Sequence, residues 1–217
     1  MNLFAYYLCF SRFVERNSEV DYLEIDLDSI FCRSAVGRKG GKQKVRVGGC
    51  LDDDDKIVFG KIVHELMHAA GEYDVYWLFL GNDITVSEIW DDTFFNQFTY
   101  FSGFVHEHTR VDRDQHIKLN HLMLNKTELE DNVRPGTYSK QFKLCNETKI
   151  GELYNCKIFN AYDKASIMHY PDNIGLNKAK IFTSIVPCDN GDCRFGQRES
   201  LSTTDIKDIE DAYSCGK

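Results

Sequence analysis

The chain lacks any run of 18 apolar residues, so no segment reads as a membrane-spanning helix. It lacks an excess of positive charge: a net charge of −8 argues against nucleic acid as a partner. No Cys-x-x-Cys pair occurs, which argues against a cysteine zinc site. No Gly-Asp-Ser-Gly string occurs, so a serine nucleophile has no loop to sit on. The apolar opening Met1–Phe10 has neither the basic start nor the small-residue cleavage site of an export signal. No internal repeat and no low-complexity tail is visible.

What the chain does have is an even number of cysteines, eight in 217 residues. That count points to a disulfide framework made in an oxidising compartment; scattered thiols in a reduced protein are the alternative. Two sequons, Asn125-Lys126-Thr127 and Asn146-Glu147-Thr148, lean the same way. A secreted protein without an export signal implies a missing N-terminus. The length suits one domain with a real core, or two small lobes.

Residues 10–15 and 21–27 alternate apolar and polar side chains and read as strands. A short strand is expected around Val45 and Val47, between glycines. A helical pattern runs from Ile57 to Gly71, and Asp52 to Asp55 are expected at its positive end. Residues 116–135 have room for a short helix. A further helix is expected from about Thr204 to Tyr213, behind a Ser/Thr/Asp cluster. The string DDDDKIV (52–58) looks like a zymogen activation site, but nothing after it supports serine-protease chemistry.

The chemistry sits in His64-Glu65-Leu66-Met67-His68. On a helix, positions i and i+4 share a face, so both imidazoles can reach one metal. Glu65 then lies where it can take a proton from bound water. Two packing histidines on an amphipathic helix are the bland alternative. A catalytic zinc wants three protein ligands and one open position. In H-E-x-x-H-x-x-G-x-x-H the third histidine follows a glycine turn. Gly71 is in place for the turn, yet Asp74 stands where the third histidine belongs. Further on, Gly103-Phe104-Val105-His106-Glu107-His108-Thr109-Arg110 supplies a glycine and a histidine. With residues 72–103 removed the text reads HELMHAAGFVHEHTRVDRD.

That joined text resembles the astacin family of zinc endopeptidases, within the metzincins. Glu107 directly after the histidine, the run Arg110, Asp112, Arg113, Asp114, and Ser166-Ile167-Met168-His169-Tyr170, which matches the family's Met-turn, all carry the resemblance. It covers the chain from Cys9 to Cys215. The resemblance implies an α+β, two-lobed metzincin fold. The upper lobe, residues 1–71, would hold a twisted mixed sheet and the active-site helix. The lower lobe, from Phe104, would be irregular and hold the C-terminal helix. It implies one Zn2+ per chain on His64, His68 and His106, with Glu65 as general base. Met168 would floor the metal, and Tyr170 would act as a switchable ligand that also binds the oxyanion. His108, His116, His121 and His169 then remain as packing or surface residues. The family disulfides would map as Cys9–Cys215 and Cys32–Cys50, which leaves Cys145–Cys156 and Cys188–Cys193 as local pairs. The glycine-flanked strand around Val45 resembles the family's rim strand, on which an extended polypeptide substrate could lie. Family members carry a signal peptide, a propeptide and an N-terminal strand before Cys9, and Glu107 would contact the mature N-terminus. The expected activity is zinc-dependent cleavage of extracellular proteins or peptides.

Residues 72–103 differ from the rest. They hold ten aromatic residues, both tryptophans and six acids, and no lysine or arginine. An inserted loop, a lid and a retained intron are the three readings. The intron reading fits codons: Gly71-Glu72-Tyr73 can encode a splice donor and Phe101-Ser102-Gly103 an acceptor, 32 × 3 = 96 nucleotides apart. On this reading residues 1–217 are one truncated peptidase domain interrupted at 72–103. If the interruption displaces His106, the alternative is a non-catalytic secreted domain.

Overall fold

The computed structural model describes residues 14–69, 76–80, 104–124, 141–147, 156–173, 179–188 and 193–212. Cys9, Cys215, Asn125 and the greater part of 72–103 lie outside them. The chain divides into two compact units, Met1–Phe104 with Asp205–Lys217, and Val105–Thr204.

The first unit is built on a four-stranded sheet. Its strands are β1 (Val14–Glu15), β2 (Tyr22–Asp26), β3 (Lys42–Arg46) and β4 (Tyr76–Leu80). The order is β1-β4-β2-β3, and these three pairings are parallel among the described residues, while an isolated antiparallel bridge, Arg33–Arg46, lies on β3. The sequence reading expected a mixed sheet. Parallel neighbours need long connections, and here β2 and β3 are joined through 27–41, and β3 and β4 through a helix. That helix, α1 (Phe59–Ala69), buries nine of its eleven residues. Leu23, Ile25, Val45 and Val47 alternate along β2 and β3 and pack with Ile62, Leu66 and Ala69 of α1. This is the period-2 stripe of a strand meeting the 3.6-residue stripe of a helix. The disulfide Cys32–Cys50 joins the same core.

Two features of this unit differ from the sequence reading. Tyr76–Leu80, inside 72–103, stands as a strand between β1 and β2. The aspartates do not cap α1, whose first turn holds no acid. Asp52 Oδ1 instead accepts the N–H groups of Asp54 and Lys56, both at 2.9 Å. A short acidic side chain competes well for nearby backbone N–H groups and closes a turn of its own.

Among its described residues the second unit has few regular elements. An antiparallel pair, β5 (Ile117–Leu119) and β6 (Phe182–Ser184), carries a core of Ile117, Leu124, Phe142, Ile181, Phe182 and Phe195. The disulfides Cys145–Cys156 and Cys188–Cys193 close local loops here. Residues 121–124 are helical. The last helix, α2 (Thr203–Ala212), starts at the expected Thr/Asp cluster, with Asp205 in its first turn and Ile209 fully buried. From Asp205 onward it clusters with the first unit, where the sequence reading placed it with the lower lobe. A terminal helix docks where its buried face finds partners, and chain order does not decide that.

Candidate metal centre and active site

Helix α1 presents His64 and His68 one turn apart, with ring centroids 4.6 Å from each other. Both are buried, and so is Glu65 between them. Glu65 Oε1 lies 4.0 Å from Cys32 Sγ, so the disulfide packs against the carboxylate.

The end of α1 is secured by chain from outside the helix. The carbonyls of Met67 and His68 accept N–H groups from Phe104 at 3.1 Å and Gly37 at 2.7 Å. Helix ends leave such carbonyls without helical partners, so these two bonds act as a cap. Phe104 is held twice, because its own carbonyl lies 2.7 Å from His68 Nδ1. A carbonyl can only accept, so Nδ1 carries the hydrogen and Nε2 carries the lone pair that a metal needs. This is the tautomer of a zinc-ligating histidine oriented by a backbone carbonyl. Phe104 follows the 72–103 stretch, so its tether fixes where the chain resumes. His106 is two residues further on, and two extended residues span about 7 Å at most.

In the second unit His106 precedes the short 3-10 helix Glu107–Thr109, with an extended backbone at φ −60 and ψ 134. Its carbonyl accepts from Thr109 N–H at 2.9 Å and Thr109 Oγ1 at 2.7 Å. The ring of Tyr170 stands 4.3 Å from that of His106. His64, His68 and His106 offer three imidazoles, a donor set that could hold one metal ion. Two of the rings are buried, and His68 is already in the ligating tautomer, so the residues present fit zinc.

Met168 is buried, and its carbonyl accepts Glu107 N–H at 3.1 Å. Ser166 Oγ accepts Met168 N–H at 2.9 Å. One guanidinium nitrogen of Arg198, Nη1, donates to the carbonyls of Ile167 at 2.8 Å and His169 at 3.0 Å. Gly196 has φ +56, and a Cβ there would lie 2.2 Å from the carbonyl oxygen of His169. Only glycine allows that approach.

His169 is fully buried. Burial pushes its pKa down to about 4; the bond to the Tyr170 carbonyl opposes this, and Arg198 adds to it. Burial, helped by the charge of Glu107, also raises the Tyr162 phenol well above the usual tyrosine range. His108 packs among Phe142, Tyr170 and Phe182, as a core histidine would. His116 stacks on Tyr162, and His121 is exposed. The Glu107 carboxylate accepts from Arg110 Nη1 at 2.9 Å and from Asp163 N–H at 2.8 Å. The N-terminal residues that were expected to contact Glu107 lie outside the described residues. Asn146 is exposed.

Sequence reading missed the Phe104 tether, Tyr162 and Arg198. No local pattern signals a bond between residues 31 or 36 positions apart. His169 lies inside the motif that was read, but its role did not follow from spacing.

Comparison with known proteins identifies the arrangement. Zinc metalloproteinase nas-14 of Caenorhabditis elegans is 32% identical over 95% of this chain and 31% of its own length. Nas-6 of the same organism is 32% identical over 94% of this chain and 44% of its own. The chain therefore spans under half the length of these relatives. The structure of high choriolytic enzyme 1, a hatching enzyme zinc-protease from Oryzias latipes, matches with a TM-score of 0.59 at 26% identity. That match covers 99% of this chain and 79% of the other, and it supports a metzincin-like fold. The peptidase family described as Astacin matches residues 1–75 and 93–214, and this chain belongs to that family of zinc metallopeptidases.

Proposed function

We propose that this chain is an endopeptidase that cleaves extracellular proteins or peptides with one zinc ion per chain. His64, His68 and His106 would hold the metal. When bound, zinc supplies Lewis acidity, lowering the pKa of a coordinated water to about 7. Glu65 takes a proton from the attacking water and returns it to the leaving amine. It is buried, with Oε1 4.0 Å from Cys32 Sγ, so the Cys32–Cys50 disulfide holds the carboxylate beside the two imidazoles of α1. Tyr170 would be a further ligand, and its O–H would serve as a donor to the developing oxyanion. Met168 would form the apolar floor of the centre. The observation that carries the reading is the bond between His68 Nδ1 and the Phe104 carbonyl, which sets a ligand's tautomer and the chain's return to α1 together.

The substrate would lie extended along β3, the last strand in the order of the first sheet, over the part short of Arg46, whose N–H and carbonyl already bond Arg33. Three described disulfides support a secreted protein. Glycans on Asn125 and Asn146, and a Cys9–Cys215 bridge, belong to the same reading. We take 72–103 as an in-frame insertion of retained-intron type. The family match leaves out 76–92, which lies inside it.

The test is hydrolysis of a quenched fluorescent peptide by the folded, metal-loaded chain, with zinc counted per chain. Activity that a chelator abolishes and zinc restores supports the reading. One zinc per chain without hydrolysis would leave a non-catalytic domain instead. A transcript 96 nucleotides (32 × 3) shorter between the codons of His68 and His106 supports the intron.

A further inference from the structure

The imidazole of His169 is bonded at both nitrogens. Nδ1 lies 2.6 Å from the carbonyl oxygen of Tyr170, and Nε2 lies 2.8 Å from the hydroxyl of Tyr162. A neutral imidazole has one donor and one acceptor. The carbonyl can only accept, so Nδ1 carries the hydrogen. Nε2 must then accept, and Tyr162 must donate. The result is a directed chain of two bonds, from Tyr162 O–H to His169 and from His169 to the backbone of Tyr170.

Both ends of this chain are held. The Tyr162 ring stacks on His116, with centroids 4.7 Å apart and an interplanar angle of 11°. The Arg110 guanidinium, 5.4 Å from the same ring, is itself bonded to Glu107 and Asp112. At the far end, Pro171 restricts the backbone of Tyr170 before it. A displaced carbonyl at residue 170 is a displaced phenol, because the side chain hangs from the same Cα.

We propose that Tyr162 is a positioning residue: through His169 it fixes where the phenol of Tyr170 stands in the reaction. The proposal rests on the role given above to Tyr170. On this proposal Tyr162 acts through His169 alone. Without its hydroxyl, Nε2 of a fully buried imidazole has lost its donor, and the ring no longer has one preferred tautomer. The carbonyl bond then weakens. A misplacement of about 1 Å at a reacting group can cost up to about a hundredfold in rate.

The experiment is a double-mutant cycle with Tyr162→Phe and Tyr170→Phe, read as kcat and KM separately. Tyr162→Phe is expected to lower kcat roughly tenfold with KM nearly unchanged, and to cost nothing further in the Tyr170→Phe background. A second readout needs no turnover. Protein loaded with Cu(II) should show a phenolate-to-copper charge-transfer band that Tyr170→Phe removes and Tyr162→Phe shifts. His169→Asn, which keeps an N–H near the Tyr170 carbonyl, serves if Tyr162→Phe does not fold; its kcat should exceed that of His169→Ala. Wild-type kcat in Tyr162→Phe, an equal loss in both backgrounds, or an unshifted band would each overturn the proposal while leaving Tyr170 in its role. If Tyr170→Phe itself keeps wild-type kcat and the copper band, the reading of Tyr170 fails, and this proposal fails with it.

Discussion

Along α1, His64 and His68 stand one turn apart because the backbone repeats about every 3.6 residues. Their register needs nothing from outside the helix. Between Ser166 and Pro171 no backbone ladder repeats. Four successive carbonyls, from Ile167 to Tyr170, go to Arg198, to the N–H of Glu107, to Arg198 again and to the ring of His169. The N–H of Tyr170 faces His108 Nδ1 at 3.4 Å. One site segment is thus positioned by periodicity, the other largely by donors 29 to 61 residues away, 168 − 107 giving the longest. The first keeps its spacing whatever changes elsewhere, though the ring of His68 is still oriented by Phe104. The second depends on distant residues, each of which is a place to break it.

The largest expected effect falls on the helical side. Glu65→Gln keeps the shape of the side chain and removes the proposed base. We expect kcat to fall by about a thousandfold, the middle of the range for a lost general base. The zinc content should stay at one per chain, since neither imidazole has moved. Loss of zinc along with activity would mean that Glu65 shapes the helix face rather than the chemistry.

The disulfides sharpen the comparison in free energy. Cys32–Cys50 closes a separation of 18 residues in the first unit, and Cys188–Cys193 one of only 5 in the second. Removing the first with paired serines should cost about 3 kcal/mol, and removing the second about 2 kcal/mol, if unfolded-chain entropy dominates. Urea midpoints measure both. The first variant should also lose activity in the folded state, because Cys32 Sγ packs against Glu65.

The same contrast explains what could be read from the residues alone. The strands at Tyr22–Asp26 and Lys42–Arg46 and both helices announce themselves by period, as do His64, Glu65 and His68. His106, Met168 and Tyr170 were visible only as parts of a family motif, since nothing local sets their geometry. The strand Tyr76–Leu80 was hidden because a short apolar run has no period that names its neighbours. Arg198 and Tyr162 were hidden because their bonds span 29 and 7 residues with no repeating pattern.

Glycines probe the irregular side next. At Gly196 an added Cβ meets the carbonyl oxygen of His169 at 2.2 Å, whereas at Gly40, with φ +76, it meets nothing within 4 Å. Gly40→Ala should therefore cost only its backbone conformation, about 1 kcal/mol. Gly196→Ala adds overpacking and should cost about 2 kcal/mol or more. It should also lower kcat, because the clash falls on the peptides that carry Tyr170. Equal costs at the two glycines would mean that the 166–171 segment yields more easily than its bonds suggest.

The smallest effect tests an irregular piece of the first unit. The run Asp52–Asp55 looked like a helix cap and is instead a closed turn. Asp52 donates its N–H to the Lys56 carbonyl at 2.8 Å, and its side chain binds two N–H groups, one of them that of Lys56. Leu51 and Ile57 bridge beneath it. The Lys56 side chain is 75% exposed. A lysine-specific protease can therefore find the side chain but needs the bond after it in an extended form. Cleavage must wait for local opening, so its rate reports the stability of the turn. Asp52→Ala removes two side-chain bonds at an exposed site, a loss of about 1 kcal/mol. The nicking rate at Lys56–Ile57 under limited trypsin should rise about fivefold, since ~1 kcal/mol is about a factor of 5 in the open population. The unfolding midpoint should barely move, because α1 begins beyond the turn and takes no cap from it. A large fall in the midpoint would return the aspartates to the helix. An unchanged nicking rate would mean that the backbone bridge alone holds the turn shut.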